Sequence, residues 1–195
     1  MTHRIQVIGD ELFGADGEAA ALFSELLLCE NPSRPLQFAI SASVRFSLDS
    51  LLARAPSDIL GKQAEWIVLG LGLHELKMVA DADKAFVPYK ALVDDIVSKT
   101  SSLLCLLTIP GEALPECASI VEEFNEKLKL LESVRVRVLD FAECVANYEK
   151  DQLERGKFAR NLYDSSHLPT SLCHALLGLF IQKNFFKQKE PENGF

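Results

Sequence analysis

Two hydrophobic periods alternate along this chain. Short unbroken apolar runs are separated by longer stretches whose apolar residues recur three or four positions apart. Unbroken runs rich in β-branched residues and closed by glycine or proline are the pattern of strands buried on both faces. They occur at residues 5–9, 36–40, 66–72 and 102–109. Residues 134–141 alternate Val with Arg instead, which predicts a late or edge strand with one face in solvent.

Helical spacing is plainest at 18–29, where Ala19, Leu22, Phe23, Leu26 and Leu27 form one stripe. It returns at 48–55, 89–99, 118–133 and 172–183, and Pro56-Ser57-Asp58 is expected to open a separate short helical piece. Between the first helix and second strand, Asn31-Pro32-Ser33-Arg34-Pro35 is a loop, because proline blocks helix continuation. Strands alternating with helices predict an α/β domain of three layers, a five-stranded, mainly parallel sheet between helices. A single domain over residues 1–187 accounts for the whole pattern, and the polar residues 188–195 are expected to fray.

Composition narrows the function. With 48% hydrophobic and 25% charged residues in 195, the chain can bury a full core. A net charge of −8 argues against nucleic acid as a partner, and Lys183, Lys187 and Lys189 are too few to reverse it. No run approaches the roughly 20 apolar residues of a membrane span, and Met-Thr-His-Arg leads directly into a strand without an apolar leader. The five cysteines are odd in number and lack metal-ligand spacing, so they read as reduced core residues of a cytoplasmic protein. No cofactor is expected.

Four strand-end blocks carry a resemblance. Gly9-Asp10-Glu11-Leu12 follows the first strand, and Ser41-Ala42 closes the second. Gly72-Leu73-His74-Glu75 follows the third, and Asp164-Ser165-Ser166-His167 precedes the last helix. In this order the chain resembles the SGNH, or GDSL-type, hydrolases, esterases and lipases of flavodoxin-like three-layer fold. The resemblance spans residues 5–183 and implies a serine nucleophile where Glu11 stands. It implies oxyanion-hole donors at the positions of Ala42 and His74, and a catalytic acid and base at Asp164 and His167. Asp10, Gly72 and Glu75 would line the same cleft, which Phe13, Leu73 and Tyr163 could fill.

The departures fall on the chemistry. A serine hydrolase needs a hydroxyl that histidine can deprotonate and donors that stabilise an oxyanion. A carboxylate at Glu11 is a poor acyl acceptor, and its charge opposes an oxyanion growing beside it. The Ala42 amide and the His74 ring remain available as donors, but without the nucleophile they do not make the reaction. The resemblance therefore implies a domain that has lost the serine and serves as a non-catalytic binding or interaction module for a protein partner or a small acyl or ester ligand. The alternative is an active ester hydrolase with a displaced nucleophile, or with a metal held by Glu11, His74 and His167.

Beside His167, Glu11 would favour the imidazolium in a salt bridge, and Asp164 has a competing role as a cap of the last turn. Ser41, Ser43, Ser165 and Ser166 carry no mark of a relocated nucleophile and suit turn roles. Gly70-x-Gly72 lacks the third glycine of a dinucleotide loop. Arg135 and Arg137 are expected to be solvated, and residues 114–117 with Phe185-Phe186 to be buried rather than to form a partner surface.

Overall fold

The chain is built outward from its first strand. The computed structural model describes residues 2–13, 17–33, 35–42, 47–156 and 161–185. Within them, β1 (His3–Gly9) pairs with β2 (Leu36–Ala42) on one side and β3 (Trp66–Gly70) on the other. Beyond β3 lie β4 (Leu103–Leu107) and β5 (Val136–Leu139), giving the order β2-β1-β3-β4-β5 with every pairing parallel. Ile5, Val7, Ile8, Ile67, Val68, Leu69, Leu104 and Leu106 are buried, as strands covered on both faces require.

Seven α-helices accompany the strands among the described residues: α1 (Glu18–Glu30), α2 (Leu48–Asp58), α3 (Leu73–Val79), α4 (Ala82–Lys99) and α5 (Ala118–Lys129) between strands, and α6 (Phe141–Glu154) and α7 (Ser171–Phe185) after the last. α1 packs along α7, which also meets α6, while α4 packs between α2 and α5. These two sets of helices cover the sheet in the three-layer α/β arrangement that the periodicity predicts.

Several boundaries differ from the sequence reading. β2 runs on to Ala42, and α2 continues through Pro56 to Asp58 instead of ending before it. β3 stops at Gly70, because Gly72 turns the backbone at φ 112° into an unforeseen helix, α3. Helix α4 begins seven residues before Tyr89, at Ala82, with the Asp81 side chain capping the Lys84 amide at 3.0 Å and Pro88 inside the helix. Helix α6 is the largest omission. Asp140 caps it by accepting from the Glu143 amide at 3.1 Å, and Phe141 and Val145 bury its inner face. An Asp-x-x-Glu start of this kind is a legible capping signal.

Arg135 and Arg137 are engaged rather than solvated. Arg135 donates to the carbonyls of Thr100, at 2.6 Å, and Val97, at the end of α4. Arg137 donates to the Asn184 carbonyl at the end of α7, at 3.0 Å. Both place positive charge at a helix C-terminus, where the macrodipole favours it. Leu114 is buried and Cys117 partly so. Phe186 and residues 188–195 lie outside the described residues, as does Ser43.

Candidate functional site

The strand order places the site. From β1 the chain moves outward to β2, then returns to β3 on the other side of β1, so the loops leaving β1 and β3 diverge. Crevices at such a switch point, beyond the carboxyl ends of the strands, are where ligands bind in open α/β sheets. Residues 10–13 and 71–75 occupy this point.

Asp10 organises the first loop. Its side chain is fully buried and accepts from the Leu12 amide at 3.1 Å and the His74 amide at 3.2 Å. It therefore ties the turn after β1 to the first turn of α3. Burial pushes its carboxyl up to about 6; the two amides work against that rise, and the charges of Glu75 and Glu11 add to it.

Phe13 holds the same turn from beneath. Its ring lies against Gly9 and Gly70, register partners at the ends of β1 and β3. A Cβ added at Gly9 would stand 1.9 Å from Phe13 Cδ2, and one at Gly70 would stand 2.4 Å from Cε2. Glycine at both positions leaves the space that the ring occupies. Phe13 and Leu73 are fully buried and Tyr163 nearly so.

Glu11 stands at the tip of this turn. Its carboxylate pairs directly with the Lys77 ammonium, and a second oxygen lies 3.9 Å from His74 Nδ1. His74 and Lys77 are one turn apart on α3, so both reach the same carboxylate. The sequence reading missed Lys77. The signal was the helical spacing of the two basic residues behind Gly72, hidden because α3 itself went unread.

Glu75 faces away toward α2. One oxygen accepts from the Leu48 amide, an orphan donor of that helix's first turn. The other is buried without a partner among the described residues, and burial raises the carboxyl above its ordinary range against the pull of the Leu48 amide. Ala42 ends β2 beside Gly9, its register partner.

The Asp164–His167 block does not assemble as a dyad. The Asp164 carboxylate accepts from the backbone amides of Ser166 at 2.7 Å and Leu168 at 3.1 Å, closing an exposed turn before α7. His167 sits in that turn at φ 57°, exposed, and its ring makes no hydrogen bond or ion pair among the described residues. The expected Glu11–His167 salt bridge is not formed; Lys77 and His74 hold Glu11 instead. Ser165 and Ser166 are exposed parts of the same turn. Among the described residues, no group of three or more His, Cys, Asp or Glu is placed to hold a metal ion, so Glu11, His74 and His167 are not brought together as a ligand set.

Chemically, the arrangement holds charge in place. The Glu11 side chain offers a carboxyl group, paired with Lys77, and no hydroxyl. The region does contain oriented backbone donors, but two of them, the amides of Leu12 and His74, are committed to Asp10.

No family model matches the chain, and no curated protein matches it in sequence. Solved structures do match in fold. A catalytic mutant of Axe2, an acetylxylan esterase from Geobacillus stearothermophilus, superposes with a TM-score of 0.76 over 95% of both chains, at 14% identity. The lipase/acylhydrolase from Enterococcus faecalis gives 0.66 at 13% identity, covering 94% of this chain and 95% of that one. A putative lipolytic protein of the G-D-S-L family from Desulfitobacterium hafniense DCB-2 gives 0.67 at 15% identity, covering 92% and 98%. No helix of the described residues is long and apolar enough to cross a membrane. Strand order, layers and structural neighbours together give this chain the fold of the SGNH, or GDSL-type, esterases.

Proposed function

We propose that this chain is a non-catalytic domain on the SGNH-hydrolase fold, a cytoplasmic pseudoenzyme that binds a protein partner or a small acyl or ester ligand. One observation carries the reading. The carboxylate of Glu11, the residue that the block resemblance sets at the nucleophile position, is engaged by Lys77. A second supports it: the Asp164 carboxylate is engaged by backbone amides and not by the His167 ring. Removing one member of a triad leaves only about 10³–10⁴-fold catalysis over water, and on this reading the nucleophile and the acid–base contact are both replaced. All five cysteines are free, in keeping with a reducing compartment.

The second reading is an ester hydrolase with a displaced nucleophile or a bound metal. It is favoured by the esterase names of the structural neighbours. Labelling with a fluorophosphonate, which captures any activated serine, separates the two. The non-catalytic reading expects no labelling of the native chain, and none at position 11 in the Glu11→Ser variant, whose new hydroxyl has no acid–base pair to activate it. Stoichiometric labelling of the native protein, or of a metal-reconstituted sample, at another serine would overturn it.

A further inference from the structure

The two edges of the sheet are finished differently. At the β5 edge the outward main-chain groups of Val136 are taken up by the chain itself. The Val136 amide donates to the Ser133 carbonyl at 3.3 Å, and its carbonyl accepts from the Ser133 amide at 2.8 Å. The strand is four residues long and carries the charge of Arg137. Short length, charge and a local turn are devices that keep a sheet edge from pairing with another chain.

The β2 edge has none of these devices. Its seven residues pair with β1 in unbroken register and include no charged residue and no proline. The His3 amide donates to the Pro35 carbonyl at 2.9 Å, and bonding residues alternate along a parallel ladder, so residues 35, 37, 39 and 41 bond to β1. Leu36, Phe38, Ile40 and Ala42 therefore turn their N–H and C=O groups to the free edge. There they make no hydrogen bond among the described residues. No residue of β2 is buried, and Ile40 is 40% exposed.

We propose that this edge pairs with β2 of a second copy of the chain, antiparallel about a twofold axis at Ala39. That register sets Leu36 opposite Ala42, Gln37 opposite Ser41 and Phe38 opposite Ile40 of the second copy. The outward residues then fall into the hydrogen-bonded pairs, so backbone and register agree. Phe38 packs edge-to-face on Phe23 of α1 at 6.0 Å, which places the apolar pairs on the α1 face and the Gln–Ser pairs on the other. Centring the axis on Phe38 or Ile40 would shorten the ladder and set Gln37 or Ser41 against Ala39. The ladder brings no ionic group together, although each chain carries a net charge of −8. About 23 Å of paired strand buries on the order of 1,000 Å² in total, the low end of specific interfaces, so the dimer forms by mass action. The proposal concerns assembly and stands or falls separately from the reading of Glu11.

The test is sedimentation equilibrium of the full chain from about 1 μM to about 1 mM, the affinity range open to an interface of this size. The expected mass rises with concentration from 21.6 kDa towards twice that value. Ile40→Lys puts an ammonium into the pair with Phe38, and Ile40→Pro removes an outward N–H that β1 does not use. Each should weaken the dimer at least about tenfold while the far-ultraviolet circular dichroism of the monomer is kept; Ile40→Lys, which spares the backbone, stands alone if the proline variant does not fold. Register is read by crosslinking in a Cys29→Ser background with oxidised glutathione. Facing Ala39 residues would lie about 4.5 Å apart between Cα atoms, within disulfide reach, so Ala39→Cys should crosslink to itself and Gln37→Cys should not. A mass fixed at 21.6 kDa throughout, a dimer unchanged by Ile40→Lys, or equal crosslinking at positions 37 and 39 would each overturn the proposal.

Discussion

The Glu11 carboxylate meets the Lys77 ammonium across the gap between the turn after β1 and helix α3. Both side chains are largely withdrawn from water, at 12% and 26% exposure. Lys77→Ala would leave a half-buried carboxylate with only the distant His74, and should cost roughly 1–3 kcal/mol. The same substitution in a Glu11→Ala background should cost clearly less. Urea denaturation of the four proteins reads the coupling directly; additive effects would mean that the pair does not hold the turn.

Phe13 and Gly9 are coupled by contact. Gly9→Ala drives a methyl into the Phe13 ring, and overpacking of this kind costs roughly 1–3 kcal/mol, occasionally more. With Phe13→Leu in place the ring is gone, so adding Gly9→Ala should be better tolerated than in the native chain. Thermal unfolding of the single and double variants checks this. An equal penalty in both backgrounds would contradict the packing of Phe13 on the strand ends.

How much of this was legible depends on what carried the signal. Four of the five strands are local apolar runs that read directly from residues such as Ile67–Leu69 and Leu104–Leu107, and the fifth reads from its alternation of Val and Arg. Helices α3 and α6 were lost because their buried stripes are short. Leu73 and Leu76 carry the first, and Phe141 and Val145 the second. At the site, the positions of Asp10, Glu11 and His74 followed from block order. The partners did not, because Lys77 reaches Glu11 only through the unread helix α3. Arg135 and Arg137 looked solvated for a similar reason: the helix ends they cap are distant in sequence.

Asp10 should make stability fall as pH rises. Its folded carboxyl titrates at about 6 against an ordinary 3.8, so the fold favours the neutral form. The folded state then holds more protons than the unfolded one between these values, and stability declines across roughly pH 4–6. The difference corresponds to at most about 3 kcal/mol. Glu75 adds to the same slope. Asp140 has the opposite sign, because its burial is outweighed by Lys129, the Glu143 amide and Thr108, and its window lies below pH 4. Asp10→Asn should flatten the slope whatever its effect on absolute stability. Urea titrations at intervals from pH 4 to pH 7 would show it, and an unchanged slope would refute the assignment.

Asp164 is predicted to act as a turn former. Asn offers the same acceptor to the Ser166 and Leu168 amides, so Asp164→Asn should leave stability nearly unchanged. Asp164→Ala should lose about 1 kcal/mol. A large effect of Asp164→Asn on any acyl-transfer rate would instead point to an acid acting through His167.

The most direct measurement is hydrolysis of p-nitrophenyl acetate by the native chain, His167→Ala and Glu11→Ser, after chelation and again with divalent metals restored. If the domain is non-catalytic, the native chain and His167→Ala release p-nitrophenol at the same rate in every condition. A native rate well above that of His167→Ala would contradict the account, and its response to metal would say which active mechanism replaced the serine.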